Sequence, residues 1–325
     1  MLLILTNRHD VTADYLASVL ESSGVSNLRL DTDAFIPKAS ISYRLGKVAI
    51  ELAGRSVTPC EIDHVWYRRP ERLKSADFDD SPESKYALDE WAEALEGFLS
   101  HIPRPKWMNH PAANSLASHK LEQLTTAHSI GFRVPPSLVT QSEARLREFF
   151  GECNERVIVK PMGSGYIERP AEESDSLIYT NQVGVENLSD LGDLVHCPTL
   201  FQKFIEKSSD VRITVVDDDC HAVELIALEP DGSQRCDVRR NNMADVEYRA
   251  TMLPPAIEAC VHRLTRHYGL RFAAIDMVVG TDGEWYFLEI NPNGQWAWLD
   301  LSGGLNIAAS FVRSFGARSS TMNRC

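Results

Sequence analysis

Residues 271–301 read RFAAIDMVVGTDGEWYFLEINPNGQWAWLDL, and this stretch decides the fold prediction. Two apolar, β-prone runs flank a glycine-containing turn, which predicts a β-hairpin. Because side chains alternate along a strand, Glu289 and Asn291 project from the same face. A register that places Asp276 opposite them gathers two carboxylates and an amide oxygen at one point. Such an all-oxygen set suits Mg²⁺, so the hairpin predicts a metal site.

An ordinary hairpin whose acids face water is the alternative interpretation. It has to explain carboxylates that stand inside the apolar runs FAAIDMVV and YFLEIN. A buried charge without a partner is too costly to be incidental, so the metal interpretation is the better one.

Composition limits the classes of function. The chain has 325 residues, enough for two or three domains, and its 43% hydrophobic and 24% charged residues are typical of globular proteins. Acidic residues outnumber basic ones by 46 to 33, the net charge is −13, and no basic tract is present. These features disfavour nucleic acid or an anionic membrane as the main partner.

The termini and cysteines indicate a cytoplasmic protein. No apolar run reaches transmembrane length, and the start, MLLILTNRHD, predicts a first strand rather than a signal peptide. The seven cysteines are scattered without a CxxC pair, which is typical of a reduced protein and argues against a zinc or disulfide framework. The dispersed histidines are interpreted as structural.

The first half of the chain predicts alternating strands and helices. A βαβ-like unit opens it, and its first loop lacks the glycines of a dinucleotide site. One helix is expected over residues 114–129 and another after Pro135-Pro136, ending at Phe150. A strand over residues 62–70 ends in Arg68-Arg69, either a solvated rim or a pair that holds a phosphate or carboxylate.

Further cationic and polar segments follow in order. Lys160 ends an apolar strand and precedes a loop with Gly163 and Gly165, whose amides can approach a phosphate; no third glycine or helix follows, so it is neither a Rossmann nor a Walker loop. The run TLFQKFI at 199–205 predicts a strand whose backbone can read an adenine edge. The run CDVRRNN at 236–242 is either a polar loop or a cation-and-amide cluster for an anionic intermediate.

The order of these residues resembles that of the ATP-grasp ligases over nearly the whole chain. The resemblance implies an α+β fold: an α/β pre-ATP-grasp domain at 1–108, a central ATP-grasp lobe at 109–203 and a C-terminal lobe at 204–325. It implies ATP and Mg²⁺, with two ions, as cofactors. The implied metal ligands are Asp276, Glu289 and Asn291; the ATP contacts are Lys120, Lys160, Gly163, Ser164, Gly165, Gln202, Lys203, Phe204 and Ile205; the catalytic residues are Arg212, Arg239 and Asn241.

A narrower resemblance rests on WYRRP at 66–70 and FLEINPNGQWAW at 287–298, which look like the microviridin-type peptide ligases, or graspetide synthetases. These join Asp or Glu side chains of a ribosomal precursor peptide to Ser or Thr as esters, or to Lys as amides, to give macrocycles. The resemblance implies a leader segment that docks beside the hairpin at 211–228, and a homodimer. It also implies substrate contacts at Arg68, Arg69 and Trp296.

Two other functions remain open. One is a carboxylate-amine ligase that adds an amino acid to a small molecule or a protein terminus, as glutamate ligases do; the NPNGQW continuation departs from that branch. The other is a regulatory protein that binds nucleotide without turnover, against which the full set of lysines and metal ligands argues. The sequence shows no general base for a hydroxyl acceptor.

Overall fold

The computed structural model describes residues 1–163, 165–169, 175–240 and 243–316. The amino-terminal part starts with the expected βαβ unit, in which the side chain of Asp10 caps the first helix by accepting from the amides of Thr12 and Ala13. Its elements are β1 (Leu2–Thr6), α1 (Val11–Ser22), β2 (Asn27–Asp31), β3 (Ala39–Arg44), β4 (Lys47–Leu52), β5 (Arg55–Val57), β6 (His64–Tyr67), α2 (Pro82–Leu99) and β7 (Trp107–Met108).

These strands form two sheets. A parallel sheet has the order β2-β1-β6-β7, and an antiparallel one has the order β3-β4-β5. Because side chains alternate in direction along β1, its residues face two different cores. Leu3 and Leu5 face a core shared with β3–β5 and α2. Leu2 and Ile4 face the opposite side, which packs on the carboxy-terminal part of the chain.

The central part has its own core. Its elements are α3 (Pro111–Ala117), α4 (Lys120–Ile130), β8 (Ser137–Thr140), α5 (Glu143–Glu152), β9 (Val157–Lys160), β10 (Tyr166–Ile167), β11 (Ser176–Leu177), β12 (Asn181–Val183) and β13 (Thr199–Lys203). An antiparallel sheet of order β12-β9-β13-β8 covers α5, and its core includes Phe149, Phe150 and Phe201.

The helix predicted over 114–129 is wrong in one respect, because the chain leaves the helix at Ser118 and His119 and starts a second one at Lys120. The buried side chain of Gln123 donates to the carbonyl of Ala117 at 2.6 Å and to that of Ile290 at 2.9 Å. These contacts with a distant strand fix the angle between the two helices and override local helix propensity.

The stretch after Pro135-Pro136 also differs from the prediction, since it forms β8 before α5 begins at Glu143. Strand β8 pairs with β13, and this pairing supplies the hydrogen bonds that a longer helix would have supplied.

The carboxy-terminal part carries the predicted hairpin. Its elements are β14 (Lys207–Val216), β15 (Asp219–Ile226), β16 (Glu247–Thr251), α6 (Pro255–Tyr268), β17 (Phe272–Gly280), β18 (Trp285–Asn291), α7 (Ala297–Gly303) and α8 (Ile307–Gly316). The antiparallel sheet has the order β16-β15-β14-β17-β18. In its β17–β18 register Asp276 is opposite Glu289 and Ala274 is opposite Asn291, as the metal-site prediction requires.

One core joins the first and last parts of the chain. Leu2, Ile4 and Trp66 lie in a single buried cluster with Trp296 and Phe311. The rings of Trp296 and Phe311 stack at 4.7 Å between centroids. The two ends of the chain are therefore packed as one unit, and the central sheet with α5 lies outside that core.

None of the helices α1–α8, as far as their residues are described, has the length and apolar composition of a membrane-spanning segment.

Candidate active site

The two carboxylates of the hairpin face each other and each carries a cationic partner. Arg212 lies opposite Asp276 across β14 and β17, and its Nε is 2.8 Å from the Asp276 Oδ1. The Nζ of Lys120 is 2.7 Å from the Glu289 Oε2. Because α4 begins at Lys120, this side chain leaves the first helical turn and reaches the end of β18.

The electrostatics of the pair are asymmetric. Burial raises the pKa of Asp276, and the negative charges of Glu289 and Asp210 add to the effect of burial while Arg212 opposes it. Burial also acts to raise the pKa of Glu289, but Lys120, with Lys160 and Arg212, outweighs it and leaves that pKa below its ordinary value. The pKa of Glu289 is therefore lowered while that of Asp276 is raised. A bound cation would favour the ionised form of Asp276.

Lys160 approaches the same two carboxylates from the central sheet. Burial lowers the pKa of Lys160 to about 8, and the neighbouring Glu289 partly offsets that effect. A lysine so poorly solvated gains from an anion, and a phosphate group is the kind of anion that restores its charge. Lys120 and Lys160, which the sequence analysis assigned together to ATP, thus lie near the same carboxylate, Glu289.

Arg239 is held by a residue that the sequence analysis did not single out. Its Nε and Nη2 donate to the two oxygens of Asp237 at 2.9 and 2.7 Å, and its backbone amide donates to the same carboxylate at 3.0 Å. The hydrogen bonds from Asp237 raise the pKa of Arg239, and the charges of Glu289 and Asp276 contribute as well. Asn241, predicted beside it, lies outside the described residues.

A buried polar network supports this loop. The Nζ of Lys207 lies 2.7 Å from the Asp210 Oδ1 and 3.1 Å from the carbonyl of Cys236, and Gln234 donates to the other Asp210 oxygen at 3.1 Å. In a regular strand, residues 207 and 210 would face opposite sides. A bulge between Lys207 and Ser209 turns them to the same side, which is why the sequence pattern did not reveal Lys207.

The residues predicted to contact ATP lie around the end of the central sheet. Gly165 has a φ of +70°, and a Cβ there would lie 2.8 Å from the Pro161 Cγ, so the loop requires glycine. Gly163 is open to solvent, with nothing near the place of a Cβ, and Ser164 lies outside the described residues.

Several polar groups of the linker after β13 already have hydrogen-bond partners within the protein. Gln202 is fully buried and donates to the Ser137 Oγ at 2.8 Å. The amide of Lys203 donates to the Pro136 carbonyl at 2.8 Å, and that of Phe204 donates to the Arg156 carbonyl at 2.8 Å. These two amides can donate hydrogen bonds to adenine only if the linker opens. Hydrogen bonds to adenine would therefore come from other groups of residues 202–205.

The predicted substrate contacts need correction at two of three positions. Arg68 and Trp296 are 0% and 0% exposed, so neither side chain offers a surface to a substrate. Arg68 instead crosses between domains: it donates to the carbonyl of Asn293, to that of Gly294 at 3.1 Å and to the Gln295 Oε1 at 2.6 Å. It fixes the loop that follows Asn291. Arg69 is exposed.

The donor set fits Mg²⁺. Asp276, Glu289 and Asn291 are hard oxygen donors on one face of adjacent strands, and the cationic partners occupy one oxygen of each carboxylate. The Asn291 Oδ1 accepts from the amide of Asn293 at 2.9 Å, which orients its carbonyl group. With a metal bound, Lys120 and Arg212 would share these carboxylates or turn toward phosphate.

Two family models match the chain. One describes the MvdD pre-ATP-grasp domain and matches residues 1–115; the other describes a RimK-like ATP-grasp domain and matches residues 122–315. A search of curated proteins finds no match.

Solved structures resemble the chain over its whole length. The macrocyclase MdnC bound with precursor peptide MdnA, from Microcystis aeruginosa MRC, is 24% identical, with coverage of 98% of this chain and 99% of that one and a TM-score of 0.81. A RiPP-associated ATP-grasp ligase from Chryseobacterium gregarium, in complex with ADP and a leader and core peptide, is 27% identical, with 98% and 97% coverage and a TM-score of 0.80. The macrocyclase MdnB from Microcystis aeruginosa MRC is 26% identical, with 97% and 98% coverage and a TM-score of 0.75.

Proposed function

Because the chain belongs to the RimK-like ATP-grasp family, whose model covers residues 122–315, we propose that it joins side chains of a ribosomally made precursor peptide into macrocycles. The family membership confirms the predicted resemblance, the ATP-grasp fold and the prediction of an ATP-using ligase. The peptide substrate is the further step that we propose.

The proposal of a peptide substrate rests mainly on the type of domain that precedes the ATP-grasp lobes. Residues 1–115 match the MvdD type of pre-ATP-grasp domain, and structures of similar length and fold contain precursor, leader or core peptides. Four cationic side chains, Lys120, Lys160, Arg212 and Arg239, lie near the hairpin carboxylates and can attract an Asp- or Glu-bearing peptide although the whole chain is acidic.

The reaction class follows from the difficulty of activating a carboxylate. A carboxylate is a poor acyl donor because it would have to expel oxide, whereas an acyl phosphate made with ATP carries a good leaving group. Asp276, Glu289 and Asn291 would hold Mg²⁺, which would neutralise the negative charge that develops on the phosphate. We assign Lys120 and Lys160 to the nucleotide phosphates, with the loop from Gly163 to Gly165 over them.

The arginines act on the substrate side of the site. Arg239 uses Nε and Nη2 for Asp237, so its Nη1 amino group is the one that can meet an acyl phosphate or the oxyanion formed on attack. Arg212 contributes from the opposite strand, where Asp276 orients it. Holding acceptor and donor in line supplies much of the rate, so no protein nucleophile is required.

Finer features of this proposal rest on the family resemblance. We propose two Mg²⁺ ions, a homodimer, a cytoplasmic location, and division into 1–108, 109–203 and 204–325. We also place the precursor's leader beside the β14–β15 hairpin and retain exposed Arg69 as a substrate contact.

Peptide-dependent ATP turnover tests the proposal. Phosphate release is measured with peptides that contain Asp or Glu together with Ser, Thr or Lys, and with matched peptides in which Asn and Gln replace the acids. We expect release above background only with the acidic peptides, and faster release when the leader is added in trans. Turnover with small amino acids or carboxylates, but not with any peptide, would favour the glutamate-ligase-like alternative instead.

A further inference from the structure

A second cluster of ligand-type side chains lies on the other face of the carboxy-terminal sheet. Cys220, near the start of β15, is directly opposite Val215, and both pack in or against the core beneath α6. Arg212, three residues before Val215, faces the active-site side because strand side chains alternate. Glu258 and His262 on α6 complete the cluster. It is therefore separated from the proposed Mg²⁺ site by the thickness of the sheet.

The spacing of the three side chains suits a single cation. The Cys220 Sγ lies 3.8 Å from the His262 Nε2, and one ligand atom from each residue falls within 4.8 Å of the others. With Zn²⁺ bonds of about 2.3 Å to sulfur and about 2.0–2.2 Å to nitrogen or oxygen, tetrahedral ligand atoms stand about 3.4–3.6 Å apart. Small side-chain rotations therefore bring the cluster to coordination geometry.

The supporting elements already fix the directions of the ligands. Glu258 and His262 are four residues apart, one turn along α6, and so project from the same helical face. Cys220 meets them from the β14–β15 hairpin. Glu258 is exposed while Cys220 and His262 are partly buried, so the fourth position opens to water.

The kinds of donor select the metal. Thiolate and imidazole favour Zn²⁺ and related transition metals, whereas Mg²⁺ and Ca²⁺ require an all-oxygen set. The acidic residues Asp218, Asp219 and Glu258 around the thiol add the negative charge that attracts a divalent cation.

A catalytic cysteine is the main alternative. Cys, His and Glu are the residue types of a nucleophilic triad, but a nucleophile needs a stabilised thiolate. Burial, with Glu258, Asp219 and Asp218, raises the pKa of Cys220 to about 12, which disfavours the free thiolate. A bound cation would lower the pKa of the Cys220 thiol by supplying positive charge.

We propose that Cys220, Glu258 and His262 form a binding site for a Zn²⁺-type cation that ties the β14–β15 hairpin to α6. The site lies on the face of the sheet opposite the proposed Mg²⁺ site, so its ligands do not contact the reacting groups. The bond between hairpin and helix would stiffen the strand that carries Arg212.

Titration of the chelator-treated, full-length protein with Co²⁺ tests the proposal. We expect one equivalent to bind with a thiolate-to-cobalt charge-transfer band, and Zn²⁺ to displace it. Cys220→Ser should remove the band, and Cys220→Ser and His262→Gln should each weaken binding at least about tenfold, since loss of even an outer-shell partner costs about 10–100-fold. Cys197→Ser, at an exposed free cysteine, is the matched control and should bind as the parent protein does.

Equal affinity and an unchanged charge-transfer band in Cys220→Ser would overturn the site, as would loss of the band in Cys197→Ser. If Cys220→Ser fails to fold, as judged by circular dichroism, His262→Gln decides, because it retains the thiol. Parent-like affinity in His262→Gln would then refute the proposal.

Discussion

At the scale of single residues, the active site depends on two carboxylates that differ in charge stability although they are cross-strand neighbours. Lys120 keeps Glu289 ionised, while burial disfavours the ionised form of Asp276. Each carboxylate needs a cation, and the site supplies them from three different parts of the chain: α4, β9 and β14.

Glu289→Gln should abolish ATP-dependent product formation, because the amide keeps the shape of the side chain but loses the charge that pairs with Lys120 and that would bind Mg²⁺. Product is measured by mass spectrometry and folding by circular dichroism, which should not change. Glu247→Gln, whose carboxylate pairs with Arg249 on an exposed strand, is the control and should stay active. Substantial activity in Glu289→Gln would remove this residue from the metal site.

Arg68 gives a second prediction at this scale. Burial lowers the pKa of Arg68 to about 10, and Asp10, at 3.4 Å from its Nε, opposes that effect. Arg68→Leu should lower the free energy of unfolding by about 3–5 kcal/mol, since it leaves the buried carboxylate of Asp10 without its cationic neighbour and frees the 293–295 loop. Urea denaturation measures the change. The exposed neighbour provides the control: Arg69→Leu should unfold as the parent does, and equal losses in both variants would contradict the account.

At the scale of elements, the loop after β18 is held close to the sheet. A Cβ on Gly294 would lie 2.3 Å from the Ala274 Cβ and 3.3 Å from the Arg212 Nη1. The first neighbour is fixed to the backbone of β17 and cannot move aside, so only glycine permits this approach.

Gly294→Ala should therefore push the loop away from β17, displace Arg212 and lower both stability and turnover. Overpacking of this kind typically costs about 1–3 kcal/mol. Thermal unfolding and phosphate release are the measurements. Gly303→Ala is the control, because a Cβ there meets its nearest neighbours at an ordinary 3.9 Å. Parent-like turnover in Gly294→Ala would show that the loop accommodates a Cβ at this position, contrary to our expectation.

Sequence reasoning succeeded for elements with a strong local signal. The hairpin of 271–301 was predictable because period-two alternation and a glycine turn fix its register, and Asp276 does stand opposite Glu289. The break between α3 and α4 was not, because it depends on Gln123 bonding to a strand 167 residues away.

For the candidate site, too, the sequence pattern predicted some contacts and missed others. Lys120, Lys160, Arg212 and the hairpin acids meet in space, as their order along the chain suggested. The bulge that turns Lys207 toward Asp210 leaves no trace in a simple alternation pattern. The burial of Arg68 and Trp296 was missed because it arises from packing between distant parts of the chain, and their local sequence resembles a surface motif.

At the scale of the whole molecule, the central sheet has a core of its own. One core contains both β1 and α8, while the sheet of β8, β9, β12 and β13 packs in a separate core with α5 and Leu188. Among the described residues, polar contacts that link the central part to the carboxy-terminal part include the Thr180 amide, which donates to the Asp237 Oδ2 at 3.1 Å, and the ion pair of Arg156 with Glu206 at 2.6 Å.

Hydrogen exchange should reveal these two units. Amides of β1 and β17 should share one opening free energy, and those of β9 and β13 should open separately at a lower one. Adding ATP and Mg²⁺ should slow exchange in the second group more than in the first, because the proposed phosphate contacts Lys160, Gly163 and Gly165 lie at the end of β9. Uniform protection across all four strands, with and without nucleotide, would contradict the division.

The central claim, that the chain forms bonds within a peptide, is tested most directly by the intact mass of an acidic precursor peptide after incubation with enzyme, ATP and Mg²⁺. Each ester or amide releases one water, so our account predicts the loss of about 18 Da per ring, through an activated carboxylate of the kind that phosphoryl transfer produces. Fragmentation would then place each bond between an Asp or Glu and a Ser, Thr or Lys. A gain equal to an added amino acid, or no change in mass while small carboxylates drive ATP turnover, would contradict it.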